Sequence, residues 1–358
     1  MKIKIIRNMT RGIAEEVWRA SRSKDSPVDE IYKIDAPVNE FPLVTLSIDC
    51  TLLEREVFTS FRDHVIWART SRVDNPIMFI VDRHFHSIEY DQYRERMKEA
   101  IENGVSQDEY RMLLPVVSLT SFTCQMSTRS LAKLWHAFDG LAEDCENDKV
   151  ASLFSSARDE ITDVLEQIGL EDMTRHMKPI DPFPQIDVRD SGSVGDTVVV
   201  TVLGSFALRA QVARHRNLQL KDSMKEFCEN ADLALIDDTV EMQVSASVDF
   251  WNDIISKRNC WLAQHDLWLP LIRAAEAQIG KIAILPCSMK NGTHAKCPYE
   301  KDARLRYTMN DPNPPCPMHA YLNDIEFDDY AQEARDMVAR DNRPQFWHSI
   351  ISSTRREK

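Results

Sequence analysis

Two stretches of this chain, "LVTLSIDCTLLEREVFTSFRDH" at 43–64 and "DTVVVTVLGSFALRAQVARHR" at 196–216, are written to one plan. Each opens with an alternating or β-branched strand, breaks briefly, and runs into a helical stretch that closes on a triplet carrying cations. Aligning Arg62 with Arg214 superposes the strands without a gap. A duplication of this kind governs everything read after it, because each copy supplies a strand that buries one face and a helix to cover it. The expected fold class is therefore α+β: antiparallel sheet packed with helices, in two related halves.

The rest of the chain is divided on that basis. Residues 1–170 form copy one, 171–190 a linker, 191–280 a shorter copy two, and 281–358 a C-terminal extension with no match in copy one. Copy one begins as a short strand that passes into an amphipathic helix. It continues through the polar helix "SIEYDQYRERMKEAIENG". Residues 105–138 read as two helices meeting at a bend at Pro115. "NDKVASLFSSARDEITDVLEQIG" is an amphipathic helix ended by glycine. The linker region is rich in proline, glycine and serine. Residues 225–280 read as mostly helical.

Composition sets limits on function. With 44 Lys+Arg against 57 Asp+Glu and a net charge of -13, the chain lacks the basic footprint of a duplex nucleic-acid binder. A local cluster such as Arg214-His215-Arg216 is then expected to hold a small anion. No apolar run is long enough to span a bilayer, and the first residues lack the pattern of a signal peptide. Eight scattered cysteines without a C-x-x-C pair fit a reduced, cytoplasmic protein. Only nine glycines are present, and neither G-x-G-x-x-G nor G-x-x-x-x-G-K-[ST] occurs, which argues against Rossmann and P-loop sites.

The order of short motifs resembles the flavin-dependent thymidylate synthases, which carry an Arg-His-Arg triplet followed by a Ser/Asn/Glu/Ser/Arg-containing signature. "AEEVWRASRS" looks like that family's first helix, and "GVSQDEYRMLLP" with "STRSL" looks like its central helices. The resemblance covers roughly residues 1–280. It implies that Arg214, His215 and Arg216 contact FAD or its phosphates, and that Gln211, one helical turn earlier, faces a pyrimidine nucleotide. Guanidinium forks suit phosphate because they make paired charge-assisted hydrogen bonds. Arg111 matches an arginine that reaches a neighbouring subunit's nucleotide. Arg258 matches the catalytic arginine, with Ser247 and Asp249 where flavin-binding Asn and Arg would stand. In copy one the losses are reversed: Arg129 is kept, Ser127 stands for the Asn, and Phe138 fills the catalytic slot.

Complementary losses of this kind imply a composite site. Copy one would give Arg111, Ser127 and Arg129, copy two would give Gln211, the triplet and Arg258, and the oligomer would be a dimer of pseudo-dimers. After the triplet the family has Asn-Glu-x-Ser-x-Arg, whereas this chain reads Lys221, Asp222, Ser223, Met224, Lys225, Glu226, so Asp222 and Ser223 are the expected substrate contacts in an altered signature. The implied reaction is transfer of a one-carbon group from methylenetetrahydrofolate to C5 of a pyrimidine deoxynucleotide, most simply dUMP to dTMP. FAD would be the cofactor and NADPH the reductant. The altered signature leaves two alternatives: a relative that hydroxymethylates dUMP or dCMP, or an inactive binding or assembly subunit. Cys287, His294, Cys297, Cys316 and His319 could form a zinc cluster, since C-P-M-H leaves a two-residue ligand gap, but the other gaps are irregular and small buried cysteines are the favoured reading, so no metal is expected.

Overall fold

Nine-residue strands that run directly into helices build this protein. The computed structural model describes residues 1–8, 43–61, 64–68, 81, 85, 88–105, 110–186, 191–258 and 265–279. The helix expected after the first strand and the extension 281–358, with its Cys/His residues, lie outside these. The described residues form helices and antiparallel sheets, an α+β protein, in two compact units that are discontinuous in sequence. The first draws on Met1–Arg96, Arg111–Gln185 and Asp222–Asp238, and the second on Met97–Tyr110, Ile186–Lys221 and Thr239–Lys358.

In the first unit β1 (Lys2–Asn8), β2 (Leu43–Thr51), β3 (His64–Ala68) and β4 (Leu119–Ser127) form an antiparallel sheet of order β1-β2-β4-β3. The described helices of residues 1–170 are α1 (Leu52–Ser60), α2 (Ile88–Glu102), α3 (Thr128–Asp144) and α4 (Asp148–Gln167), and a short 3-10 turn covers Arg111–Leu113. Val44, Leu46, Ile48, Phe122, Cys124 and Met126 alternate along β2 and β4 and are all buried. Onto that face packs a file of aromatic rings. Phe58 of α1 meets Phe122 edge-on at 5.2 Å and Phe138 of α3 at 5.7 Å, and Phe138 meets Phe154 of α4 at 6.1 Å. Contacts of this geometry add about 0.5–1.5 kcal/mol each to the area they bury.

The second unit repeats the order. β5 (Gly192–Val194), β6 (Thr197–Ser205), β7 (Gln219–Asp222) and β8 (Thr239–Ser247) stand as β5-β6-β8-β7. Here α5 (Phe206–Ala213) follows β6, α6 (Met224–Cys228) follows β7, α7 (Val248–Arg258) follows β8, and α8 (His265–Ile279) comes last. The central pairs share one register: Leu43 faces Ser127 and Thr51 faces Leu119, as Thr197 faces Ser247 and Ser205 faces Thr239. Thr51, Ser127, Ser205 and Ser247 each end a central strand, and each hydroxyl accepts the backbone N–H three residues on, from Glu54, Ser130, Leu208 and Phe250. One hydroxyl thus stops the ladder and starts the helix, four times over.

This register corrects the gap-free alignment of the two stretches. With Thr51 equivalent to Ser205, Arg62 falls opposite Arg216 rather than Arg214, and Phe61 falls opposite His215. One further expectation is overturned. The stretch 105–138 is not a pair of helices bent at Pro115, since β4 lies within it. The described part of 225–280 is mostly helical as expected, in α6, α7 and α8, but it also contains β8. In both, apolar residues alternating with Thr, Ser and Gln bury one face of a sheet, and that period of two prevails over helix propensity. Part of the proline-rich connection also packs into the first unit, where Met173, Met177 and Phe183 are buried.

Burial makes the described cysteines of the sheet inert. It pushes the Cys124 thiol up to about 12, and it drives Cys50 well above its usual range, helped by the neighbouring Glu54 carboxylate. Cys228 is buried as well, while Cys145 is half-buried. Iodoacetamide at neutral pH is therefore expected to modify Cys145 slowly and to leave Cys50, Cys124 and Cys228 untouched until denaturant is added. Peptide mass mapping reads this directly, and rapid native labelling of Cys124 would contradict the packing described.

Candidate functional site

The cationic triplet sits where α5 ends. Leu208 and Val212 of this helix point into the core of the second unit, so its last turn is fixed by packing. Arg214 is the C-cap, its N–H bonding to the Gln211 carbonyl at 3.3 Å. His215 N–H donates to Val212 O at 3.0 Å, and His215 O accepts from Leu218 N at 2.9 Å, so the turn that carries the triplet is bonded on both sides. Arg214 and Arg216 are exposed, whereas His215 and Gln211 are half-buried. The His215 ring stands edge-on to Trp268 of α8, with centroids 5.3 Å apart and planes at 85°. Cations at a helix C-terminus are favoured by the helix dipole by about 0.3–1 kcal/mol even without a ligand.

Exposed Arg214 and Arg216 stand next to half-buried His215 in the chain, and guanidinium groups are suited to a phosphate or pyrophosphate because they make paired charge-assisted hydrogen bonds. FAD carries such a group. The site's residues toward FAD would be Arg214 and Arg216 for the anion, with His215 and Gln211 beside them.

Arg258 is the last residue of α7 and belongs to the same unit. It occupies the helix position that Phe138 holds in α3, because Ser127 and Ser247 are equivalent caps. In the first unit that position is closed by the aromatic file.

Arg111, Ser127, Arg129, Asp222 and Ser223 belong to the first unit. Arg111 is buried where the 3-10 turn begins, and its carbonyl accepts Leu114 N–H at 3.0 Å. Ser127 is buried at the cap of α3, accepting from Ser130 N–H and donating to Ser130 Oγ, both at 3.0 Å. Arg129, in the first turn of α3, is half-buried.

The altered signature has structural tasks. Asp222 is buried, its N–H donates to Pro184 O at 2.9 Å, and its carboxylate accepts Met224 N–H at 3.2 Å. Met224 is fully buried. Lys225 bridges Asp181 at 3.1 Å and Asp144 at 3.3 Å. Farther along, Asn147 Nδ2 donates to Glu229 O and to Asp232 Oδ1, and Tyr90 Oη donates to Asp232 O. Sequence reasoning missed this anchorage of 222–238. The run of acids at Glu226, Glu229 and Asp232, spaced to meet another element, was its visible trace.

Lys225 yields a pH prediction. Partial burial works to lower its ammonium, but the hydrogen bonds and charges of Asp181 and Asp144 outweigh it, and the net direction is upward. A raised lysine stabilises the fold fully below the ordinary lysine range and loses that contribution as pH climbs through its folded value. The melting-temperature gap between wild type and Lys225→Met should thus stay constant from mildly acidic to mildly alkaline pH, then close in strong alkali. A gap that closes toward acid before the carboxylates protonate would rule out the bridge.

Among the described residues no helix is long and apolar enough to cross a membrane. No family model matches the sequence, and no curated protein does. Among solved structures, thymidylate synthase X from Helicobacter pylori, described with FAD and dUMP, is similar at a TM-score of 0.36 and 13% identity, over 49% of this chain and 100% of that one. A likeness of that size carries no argument about chemistry.

Proposed function

We propose that the protein is a flavin-dependent enzyme that transfers a one-carbon group to C5 of a pyrimidine deoxynucleotide. The observation that supports this reading best is the end of α5, where Gln211, Arg214, His215 and Arg216 occupy one ordered turn with both arginines exposed, in a chain of net charge -13. An acidic protein that keeps two solvent-facing guanidiniums beside a packed ring is equipped for an anionic, aromatic ligand.

In this reading Arg214 and Arg216 bind the flavin's phosphates and Gln211 meets the pyrimidine. Arg258 stabilises negative charge that develops on the pyrimidine ring. Arg111, Ser127 and Arg129 complete the site from the other half of the duplicated chain, within an oligomer built as a dimer of pseudo-dimers. FAD, when bound, supplies the hydride after reduction by NADPH, and methylenetetrahydrofolate supplies the carbon.

A second reading is favoured by one specific feature. Met224 and Lys225, at and beside the positions where the resemblance expects a nucleotide-binding serine, are taken up by the core and by Asp144 and Asp181. A nucleotide grip altered in this way fits another pyrimidine or another one-carbon product, such as hydroxymethylation of dCMP or dUMP.

The deciding experiment begins with the absorption spectrum of the purified chain loaded with FAD. The loaded protein is then incubated with methylenetetrahydrofolate, NADPH and dUMP or dCMP, and products are weighed by mass spectrometry. Conversion of dUMP to dTMP supports the primary reading. Hydroxymethyl products move the assignment to the second. A protein that takes up no flavin, even with nucleotide present, is a binding or assembly subunit.

A further inference from the structure

The triplet is treated by motif as three equivalent ligands, but its middle member is differently placed. Arg214 and Arg216 are exposed on either side of it, while the His215 imidazole meets Trp268 edge-on at 5.3 Å and 85°. Trp268 itself is 0% exposed, held in α8 among Leu271, Ile272 and Ala275, all buried. An indole so enclosed has one orientation, and an aromatic pair in this geometry favours it by about 0.5–1.5 kcal/mol.

The backbone of the turn supports the same division. His215 N–H and O are both bonded, to Val212 O and from Leu218 N, which holds the main chain of the turn, while the edge-on contact with Trp268 holds the ring. With the central residue pinned, the two flanking side chains leave the turn in fixed directions. Long cationic side chains lose rotamer freedom on binding, and a rigid base lowers that cost.

We infer that Trp268 is a positioning residue of the anion site: acting through the His215 ring, it fixes the turn so that Arg214 and Arg216 are the phosphate ligands and His215 is their anchor. This rests on the proposed flavin site and adds a residue that no motif marks. In copy one Phe61, itself buried, stands at the position equivalent to His215, as expected where the ring serves packing rather than ligand contact.

The test is a double-mutant cycle on the full chain, read by quenching of FAD fluorescence at equilibrium, with melting temperature followed in parallel. Trp268→Leu is expected to weaken FAD binding about tenfold, equivalent to about 1.4 kcal/mol. In a His215→Ala background it should weaken binding by less than about twofold, because the path from indole to arginines is already cut. Trp268→Phe, which keeps a ring, should restore affinity to within about threefold of wild type, a margin worth about 0.7 kcal/mol. His215→Phe should likewise bind FAD nearly as well as wild type, and His215→Ala should not. The two His215 variants alter a half-buried surface residue and decide the matter alone if Trp268→Leu fails to fold.

Additive losses in the cycle would overturn the positioning role, since Trp268 would then act only through general stability. Equal weakening by His215→Phe and His215→Ala would also overturn it and make the imidazole a ligand. Wild type that binds no FAD overturns the flavin site and the positioning role together, and it is recognised before any variant is made.

Discussion

Replacing both Arg214 and Arg216 with alanine will weaken FAD binding by roughly two to four orders of magnitude while leaving the fold in place. A hydrogen bond to a charged group is worth about 1.5–3 kcal/mol, and two such residues aimed at one phosphate give about 3–6 kcal/mol. The structural cost is far smaller. Both side chains are exposed, and among the costs to the fold is the loss of favourable charges at the helix C-terminus, about 0.3–1 kcal/mol each. Fluorescence titration and thermal melting on the same preparation separate the two effects. The double lysine variant sharpens the comparison, because lysine keeps the charge but lacks the paired geometry, and recovery should be partial. An alanine variant that binds FAD as wild type does would remove the triplet from the site.

Much of the fold could be read from the sequence, and the failures follow from single residues. β2 and β6 were found because Val44, Leu46, Ile48 and Val198, Val200 alternate cleanly before a helical run. β4 and β8 carry an equally plain signal, Phe122-Cys124-Met126 and Val240-Met242-Val244-Ala246, and both end on a serine that caps the next helix. That signal is masked in the sequence because each strand lies inside a longer stretch of helical pattern, and Pro115 suggests a bend between helices. Pro115 instead makes an isolated bridge with Leu235, ahead of a strand. The site was legible in part. A motif names Arg214 to Arg216, but it cannot show that His215 turns toward Trp268, since a contact across fifty residues leaves no local pattern.

The segment 222–238 that follows the triplet has duties in the first unit. The chain leaves the second unit at Lys221, and the next residues join the first. There Val116 N–H donates to Ala234 O and Ile236 N–H to Leu114 O, and Lys225 pairs with two aspartates. Lys225 there pairs with the last residue of α3, and Asn147 at the cap of α4 bonds Glu229 and Asp232. The residues of this segment therefore report its anchorage in the first unit.

Asn147 is the pivot of that anchorage, and its replacement is expected to be the most destabilising of the surface changes considered. It caps the twenty-residue helix α4, Oδ1 accepting Lys149 N–H at 3.1 Å and Val150 N–H at 3.3 Å. Its Nδ2 donates to Glu229 O and Asp232 Oδ1, both at 3.0 Å. Alanine removes the cap, about 1 kcal/mol, and two further hydrogen bonds of about 1 kcal/mol each. The total, about 2–3 kcal/mol, lowers the melting temperature by roughly 5–10 °C for a unit of this size. Aspartate divides the two roles. It keeps the acceptor and suits the helix dipole, but it has no donor for Glu229 O and sets a second carboxylate against Asp232. Asn147→Asp should then protect α4 normally in hydrogen exchange while the amides of 226–236 exchange faster, and Asn147→Ala should loosen both. Equal exchange in 226–236 for wild type and Asn147→Asp would mean that Lys225 and the backbone bonds at Leu114 and Val116 hold the segment without it.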